Sequence, residues 1–200
     1  MKDPQLALHG LAIKKHGDAA EVAAITGLDP ARVQTLLDDA VAAGRVVKAG
    51  AKYMLSPVAQ IALRTAYSRD CAAQRANPAM THGYDDFEKI NEHLKQLITD
   101  WQTLPIAGTR IPNDHSDAAY DAKIIDKLGA LHDRAAPMLD RLAAGLPRLH
   151  VYKDHLTAAL ERAEDGEIAW ISDARCASYH TVWFELHEDL IRVLGRQRIE

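Results

Sequence analysis

Two histidines near the C-terminus are the residues of this sequence whose type and spacing most suggest chemistry. His180 and His187 lie in the stretch 178–190, which has the apolar periodicity of a helix and also holds Trp183. On a helix, residues at i, i+3, i+4 and i+7 share a face, so the three side chains fall on one stripe. Such a stripe suits the wall of a ligand pocket, and equally a core in which the histidines are hydrogen-bonded.

A second concentration of polar groups, at 113–117, lies at the end of the segment 104–114, which contains two prolines and a glycine and predicts a long irregular loop. Its His115, with Asp114 or Asp117 and one histidine of the last helix, could form a metal site. The last-helix histidines are seven residues apart, about 10 Å along the axis, which does not favour a shared ion. Hydrogen-bonded histidines and helix caps are the favoured interpretation, so metal binding stays unknown.

The sequence contains no nucleophile elbow, phosphate loop or dinucleotide fingerprint. We therefore predict no catalytic residues and no cofactor. A small-molecule pocket between the 104–116 loop and the last helix is the third possibility, because apolar walls with a few polar groups are typical of such sites. An aromatic core is the alternative use of these rings. The predicted ligand-binding residues are Trp101, His115, Tyr120, Tyr179, His180, Trp183 and His187.

The helices that would position these residues are predicted from periodicity, caps and breakers. The last helix is expected over 174–196, with Ser172 as its cap and Gly195 at its end. Earlier helices are predicted over 81–102 and 117–134, with a kink or restart at Pro137, and over 148–165.

The first third of the chain has a different pattern, three helices followed by a hairpin. Helices are predicted over 5–16 and 19–26, and a third begins after Asp29 and stops at Gly44. The β-prone runs 45–48 and 52–55 flank a glycine turn, which indicates a hairpin. This is the order of a winged helix-turn-helix.

The segment 21–47, EVAAITGLDPARVQTLLDDAVAAGRVV, is similar to the winged helix of MarR-type bacterial regulators. In such a motif the second helix reads bases in the major groove, and its exposed Arg32, Gln34 and Thr35 could contact bases or phosphates. Lys48 and Lys52 on the wing would contact phosphates. Two aspartates at 38 and 39 oppose DNA binding, and the same fold also serves as a protein-contact module.

A broader resemblance runs from 100–102 through 113–121 to 179–190. Over these segments the chain is similar to an actinobacterial group of winged-helix, MarR-like regulators and of appendages of phosphoenolpyruvate-utilising, pyruvate-dikinase-like enzymes. The resemblance brings no catalytic residues. The dikinase phosphohistidine and swivelling-domain motifs are missing from this sequence, so dikinase activity is not expected.

Composition is that of a globular protein, 48% hydrophobic and 26% charged, with a net charge of −4. Residues 1–65 carry eight Lys/Arg and six Asp/Glu, so a mildly basic head precedes an acidic body. Two distant cysteines predict reduced thiols, and the lack of a signal peptide or membrane segment predicts a cytoplasmic protein.

The overall expectation is a mostly α fold, with a winged helix-turn-helix domain and its small β-hairpin over 1–75 and an α-helical ligand-binding or dimerisation domain over 76–200. The leading function is a homodimeric transcriptional regulator that binds duplex DNA and senses a small molecule. A non-DNA-binding accessory protein that contacts a partner enzyme is the alternative, and a metal-dependent enzyme is third.

Overall fold

The computed structural model describes residues 1–106 and 108–197. The chain is mostly helical, as predicted, with a small antiparallel sheet and a separate two-stranded hairpin. The helices are α1 Asp3–Lys14, α2 Ala19–Thr26, α3 Pro30–Ala42, α4 Pro57–Asp70, α5 Ala72–Arg75, α6 Pro78–Gln102, α7 Ala118–Gly145, α8 His150–Glu164, α9 Ala169–Ser172 and α10 Tyr179–Leu194. The strands are β1 His16–Gly17, β2 Val46–Ala49, β3 Lys52–Leu55, β4 Thr103–Ile106 and β5 Thr109–Pro112.

Local sequence signals account for the first third of the chain. Asp18 and Glu21 form a capping box at the start of α2, and Asp29 caps α3 ahead of Pro30. Strands β2 and β3 pair antiparallel around Gly50, whose φ of 60° suits a tight turn. Strand β1 pairs with the other edge of β3, so the sheet order is β1-β3-β2.

The last helix is shorter than the sequence predicted. It begins at Tyr179 instead of residue 174, and Ser178 is the cap in place of Ser172, accepting from the backbone N–H of Thr181 at 3.3 Å. Asp173 diverts the chain before this point, because its carboxylate accepts from the backbone N–H of Arg175 and closes a local turn. The predicted end at Gly195 is confirmed, with the glycine in the left-handed region at φ 67°.

Two further elements of the helical part differ from the expectation, which was an irregular loop in one case and, as one of two alternatives, a helix restart in the other. The segment predicted as an irregular loop forms the β4–β5 hairpin, in which Thr103 pairs with Pro112, although Ala107 lies outside the described residues. Helix α7 is capped by Asp117 and runs through Pro137 without a restart. Its buried apolar stripe outweighs the one backbone hydrogen bond that a proline removes.

Helix α10 is the element around which the core is built. It packs against α1, α4, α6, α8 and α9, and its apolar side chains belong to one core that also includes α1 to α4. The segments 1–75 and 76–197 therefore share a single hydrophobic core. Of the helices in the two described ranges, none combines the length and apolar character that a bilayer crossing requires.

Candidate functional site

The exposed face of α3 carries two of the side chains predicted to read bases. Arg32 and Thr35 are both exposed. Arg32 Nε lies 3.5 Å from Asp3 Oδ2, and the Thr35 hydroxyl donates to the carbonyl of Ala31 at 3.0 Å. The Arg32 pair is half-exposed on both sides, so it constrains the guanidinium weakly.

A hydrogen-bonded cluster joins α3 to the β2–β3 hairpin. Gln34 Nε2 donates to Asp38 Oδ2 at 2.7 Å and also to the Tyr53 hydroxyl, which donates to Asp38 Oδ1 at 2.7 Å. Lys48 Nζ lies 3.2 Å from Asp38 Oδ1 and 4.9 Å from the centroid of the Tyr53 ring. Hydrogen bonds from Gln34 and Tyr53 lower the pKa of Asp38. A negative charge is thus fixed between two residues predicted to contact DNA.

Lys52 on the hairpin is also paired within the chain. Its Nζ lies 2.5 Å from Glu21 Oε2 and 3.4 Å from Asp18 Oδ2, the two acids of the α2 capping box. These side chains are about two-fifths exposed, and exposed pairs contribute only about 0–1 kcal/mol. A DNA phosphate could displace the carboxylates at small cost, but their charges would stay nearby.

The predicted DNA-binding face is therefore not basic overall. Residues 18–55, which include α3 and the hairpin, carry four Lys/Arg and five Asp/Glu. Affinity for duplex DNA comes largely from cations that displace condensed counterions from phosphates. The electrostatic contribution of this face is small compared with that of a typical basic DNA-binding surface.

The aromatic residues predicted to line a pocket on α10 are packed in the core. Trp183 stacks on Phe87 of α6 at 4.7 Å between ring centroids, and Tyr179 stacks on Trp183 at 6.3 Å. The Trp183 indole donates to Asn91 Oδ1 at 3.0 Å. With both rings buried and the indole N–H satisfied, these positions match the aromatic-core alternative.

The two histidines of α10 differ in their surroundings. His187 is buried, with its ring 4.9 Å from Phe87 and its Nε2 3.0 Å from Glu88 Oε1. His180 is half-buried, and burial lowers its pKa below 6.5. His187 is thus held by ring packing and by a close contact with the Glu88 carboxylate whose geometry is not that of a hydrogen bond.

The other three predicted pocket residues do come together, at the β4–β5 hairpin. The His115 ring lies 4.4 Å from that of Trp101, and its Nδ1 is 2.9 Å from Asp121 Oδ2. Asn113 Nδ2 donates to Asp121 Oδ1 and to the Trp101 carbonyl, and the Tyr120 hydroxyl donates to a backbone carbonyl of α6. This network fastens the end of α6 to the start of α7.

These two groups of predicted residues lie far apart along α6. Phe87 and Asn91 contact Trp183, whereas Trp101 contacts His115; at 1.5 Å rise per residue the separation is about 15–21 Å. A metal set combining His115 with a histidine of α10 is therefore not formed. Within residues 1–106 and 108–197, no group of three or more His, Cys, Asp and Glu side chains could hold a metal ion.

A buried polar network that sequence reasoning missed joins α10 to the N-terminal helices. Asp189 and His9 are fully buried, and Arg148 binds both carboxylate oxygens of Asp189, at 2.5 and 2.7 Å. His9 Nε2 donates to Asp189 Oδ1 at 2.9 Å, and its Nδ1 accepts from the Tyr67 hydroxyl at 2.8 Å. The Tyr152 hydroxyl donates to Asp189 Oδ2 at 3.0 Å.

The charges in this network compensate one another. Burial alone would raise the pKa of Asp189, but the Arg148 guanidinium and then His9 hold it below its ordinary value of 3.8. Burial lowers the pKa of His9 below 6.5, so the imidazole is neutral. One sequence signal could have found the site: Asp189 continues the buried stripe of Val182, Leu186 and Val193.

Comparison with protein-family models, with curated proteins and with solved structures gives no significant match to this chain. The functional argument therefore depends on the geometry of the chain itself.

Proposed function

We propose that this chain is a winged-helix transcriptional regulator that binds duplex DNA as a homodimer and responds to a small molecule. The observation that carries the proposal is topological. The elements follow in the order α1-β1-α2-α3-β2-β3 with sheet order β1-β3-β2, the arrangement in which α3 is the recognition helix and β2–β3 the wing.

The placement of the predicted contact residues supports this role. Arg32 and Thr35 are exposed on α3, and Lys48 and Lys52 lie on the strands of the wing. Their ion pairs within the chain are exposed, so replacing a carboxylate by a phosphate costs little. A cytoplasmic address and a two-fold dimer are part of the same proposal.

The buried network supports communication between the winged helix and the rest of the chain. His9 of α1 and Tyr67 of α4 are hydrogen-bonded, directly or through each other, to Asp189 of α10. A displacement of α10 would therefore change contacts that hold the winged helix. Coupling of this kind is what a ligand-responsive regulator requires.

A non-DNA-binding accessory protein is the second candidate, and two observations favour it. The acids Asp38, Glu21 and Asp18 neutralise the wing, and apolar side chains are exposed beside it. Val47 and Met54, which pair across the hairpin, are 51% and 46% exposed, and α4 exposes two further apolar residues nearby in sequence. Exposed apolar surface next to a neutral wing suits a protein contact better than a phosphate contact.

Selection of genomic fragments bound at low salt, followed by affinity measurements across a salt series, separates the two candidates. A regulator enriches one sequence, and Arg32→Ala weakens binding to it by about 1–3 kcal/mol if the guanidinium contacts a base. Asp38→Asn should release Lys48 and steepen the salt slope by about 0.9, the value for one added phosphate contact.

Lys123→Ala, an exposed change on α7, is the matched control and should leave affinity and slope unchanged. Absence of any enriched sequence, together with equal weak binding by all variants, would place the accessory-protein function first.

A further inference from the structure

A basic groove lies where α1, α4, α5 and α10 meet. It consists of two adjoining cavities of about 210 and 490 Å³, which share Arg64, Tyr67 and Arg192 in their walls. Lys15 also lines the first cavity, while Arg75 and Arg196 line the second. Five cationic side chains thus face this groove, against the single carboxylate of Glu188, in a chain whose net charge is −4.

Four of the five groove cations differ from most other cations of the described residues by lacking a carboxylate partner. Lys14, Lys48, Lys52, Arg110, Arg141 and Arg148, for example, each pair with an Asp or Glu. Within the described ranges, Lys15, Arg64, Arg75 and Arg196 form no such ion pair, and only Arg192 does, with Glu188 at 3.0 Å. Like charges held together without counter-charges favour an anion between them.

Lys15 is held at the groove by an unusual backbone conformation. It ends α1 with φ 65° and ψ −52°, in a region that residues other than glycine rarely occupy. Its Nζ lies 5.5 Å from the centroid of the Phe184 ring on α10. Strained conformations of this kind concentrate at ligand sites, where the surrounding structure fixes them.

Arg75 is positioned by the end of α10. Its Nε donates to the carbonyl of Val193 at 3.0 Å, which directs the guanidinium along the helix terminus. Gly195 makes this possible, because a Cβ at that position would lie 2.8 Å from Arg75 Cζ. One edge of the guanidinium is thereby fixed while its terminal nitrogens make no hydrogen bond to the residues that the structure describes.

Arg192 connects the groove to the winged helix. Its Nη2 donates to Glu188 Oε2 at 3.0 Å and to the carbonyl of Ala12 in α1 at 3.3 Å. Its Nε is buried and finds no hydrogen-bond partner in the described part of the chain. Because this nitrogen is shielded from solvent, an anion in the groove would meet the terminal nitrogens of the guanidinium.

The groove also has an apolar wall. Its partly exposed apolar residues are Ala12 in the first cavity and Ile191 in the second, while Leu11, Leu63 and Tyr67, which also line the first cavity, are buried. Both cavities together reach the size at which small-molecule sites are found. Charge on one side and apolar surface on the other select a molecule with an anionic end and an apolar part.

We infer that this groove binds a small phosphorylated molecule, its phosphate held by Arg64, Arg75, Arg192 and Arg196 and its apolar part against Ala12 and Ile191. Planar guanidinium groups match the geometry of phosphate oxygens and stay charged at any physiological pH. As the effector site of a regulator this assignment rests on the proposed function; as an anion site it does not require DNA binding. The ligand would act on DNA affinity through Arg192 and its bond to α1.

Titration calorimetry of the full chain without DNA tests the site directly, with pyrophosphate as the anionic probe and coenzyme A as a probe that adds an apolar arm. We expect saturable binding of both, with coenzyme A tighter. Arg64→Ala/Arg196→Ala changes two exposed side chains and should weaken both probes by about tenfold or more, since each lost contact is a charge-assisted hydrogen bond.

The matched control is Lys123→Ala/Arg134→Ala, which removes the same charge from exposed positions of α7 that do not line the groove and should shift affinity less than about twofold, because salt screens such surface charges. No saturable binding of pyrophosphate or coenzyme A, or equal loss of affinity in both double variants, would overturn the assignment.

Titration with a short random-sequence duplex tests whether the groove binds nucleic acid instead. If the duplex binds in the groove, loses affinity in Arg64→Ala/Arg196→Ala and is not displaced by pyrophosphate, the groove is a nucleic-acid surface and the small-ligand proposal fails.

Because these measurements contain no operator, a failure of the proposed DNA binding leaves their outcome unaffected. Conversely, a chain that selects an operator but binds neither probe retains the proposed function and loses only this site.

Discussion

Removing the charge of Asp189 should destabilise this protein more than any surface substitution of the same kind. Asp189→Asn keeps the shape of the side chain but leaves the Arg148 guanidinium, whose side chain is 12% exposed, without its counter-charge. Breaking a buried ion pair by removing one partner costs about 3–5 kcal/mol. For a chain of this length that corresponds to a fall in Tm of about 6–20 °C, at 2–4 °C per kcal/mol.

The matched control is Asp140→Asn, which breaks the exposed pair with Lys153. That pair is as short, 2.5 Å between Nζ and Oδ1, but its side chains are 30% and 58% exposed. Such pairs contribute about 0–1 kcal/mol, so burial is the variable that separates the two substitutions. Urea unfolding followed by tryptophan fluorescence and by circular dichroism gives both free energies of unfolding and tests whether the transition is two-state.

A second variant identifies the cause. In Arg148→Met/Asp189→Asn no unpaired guanidinium remains in the core, so the double variant should recover part of the stability lost in Asp189→Asn. The electrostatic reasoning is refuted if Asp189→Asn lowers the free energy of unfolding no more than Asp140→Asn does. It is refuted equally if the loss in the double variant is the sum of the losses in Arg148→Met and Asp189→Asn, because the network is then not a compensated charge cluster.

Two further predictions concern single residues. Gly195→Ala should lower the free energy of unfolding by about 1–2 kcal/mol, because an L-residue at φ 67° is strained and its Cβ would displace Arg75. Gly129→Ala, inside α7, is the control. Its added Cβ would meet only Glu164 Oε1, at 3.4 Å, so this change should be neutral or stabilising in the same denaturation assay. Burial holds the pKa of His9 below 6.5, so the folded state binds fewer protons than the unfolded state as pH falls below 6.5, and stability should decline there. His9→Gln should make the decline between pH 8 and 5.5 shallower than in the parent or in the exposed control His93→Gln; equal slopes in all three would contradict the assignment.

The elements of the first third of the chain were predictable because their signals are local. Asp18, Asp29 and Gly27 each act on the backbone within three or four residues, and the structure shows the caps and the left-handed glycine where the sequence placed helix ends. The glycine between the β-prone runs specifies the hairpin in the same way. Elements that are set by contacts of this range can be predicted without knowing how the rest of the chain folds.

The start of α10 and the β4–β5 hairpin were mispredicted because local signals compete there. Ser172 and Ser178 are both suitable caps, and the choice between them depends on the turn that Asp173 closes with Arg175. In the segment after α6, Pro105 and Gly108 suggest an irregular loop. The Arg110 side chain, which reaches Asp100 at 2.8 Å, holds the second strand against the helix end, a contact that no local pattern encodes.

The buried network and the basic groove could not be predicted because their members are far apart in sequence. His9 and Asp189 are separated by 180 residues, and the imidazole is buried only because α1 packs against α10. The pattern around residue 189 shows an acid on an apolar stripe. It predicts that the buried carboxylate needs a partner, but it does not identify that partner as Arg148.

The basic groove is even harder to predict, since Lys15, Arg64, Arg75 and Arg196 each look like an isolated surface cation in the sequence. These cations form a site only in the folded chain, because α10 packs against α1, α4 and α5 and so brings them together. Arg192 contacts α1 from within the groove. The same helix therefore places Asp189 in the core and the partly exposed Arg192, three residues later, in the groove, so the two charges lie within one helix turn.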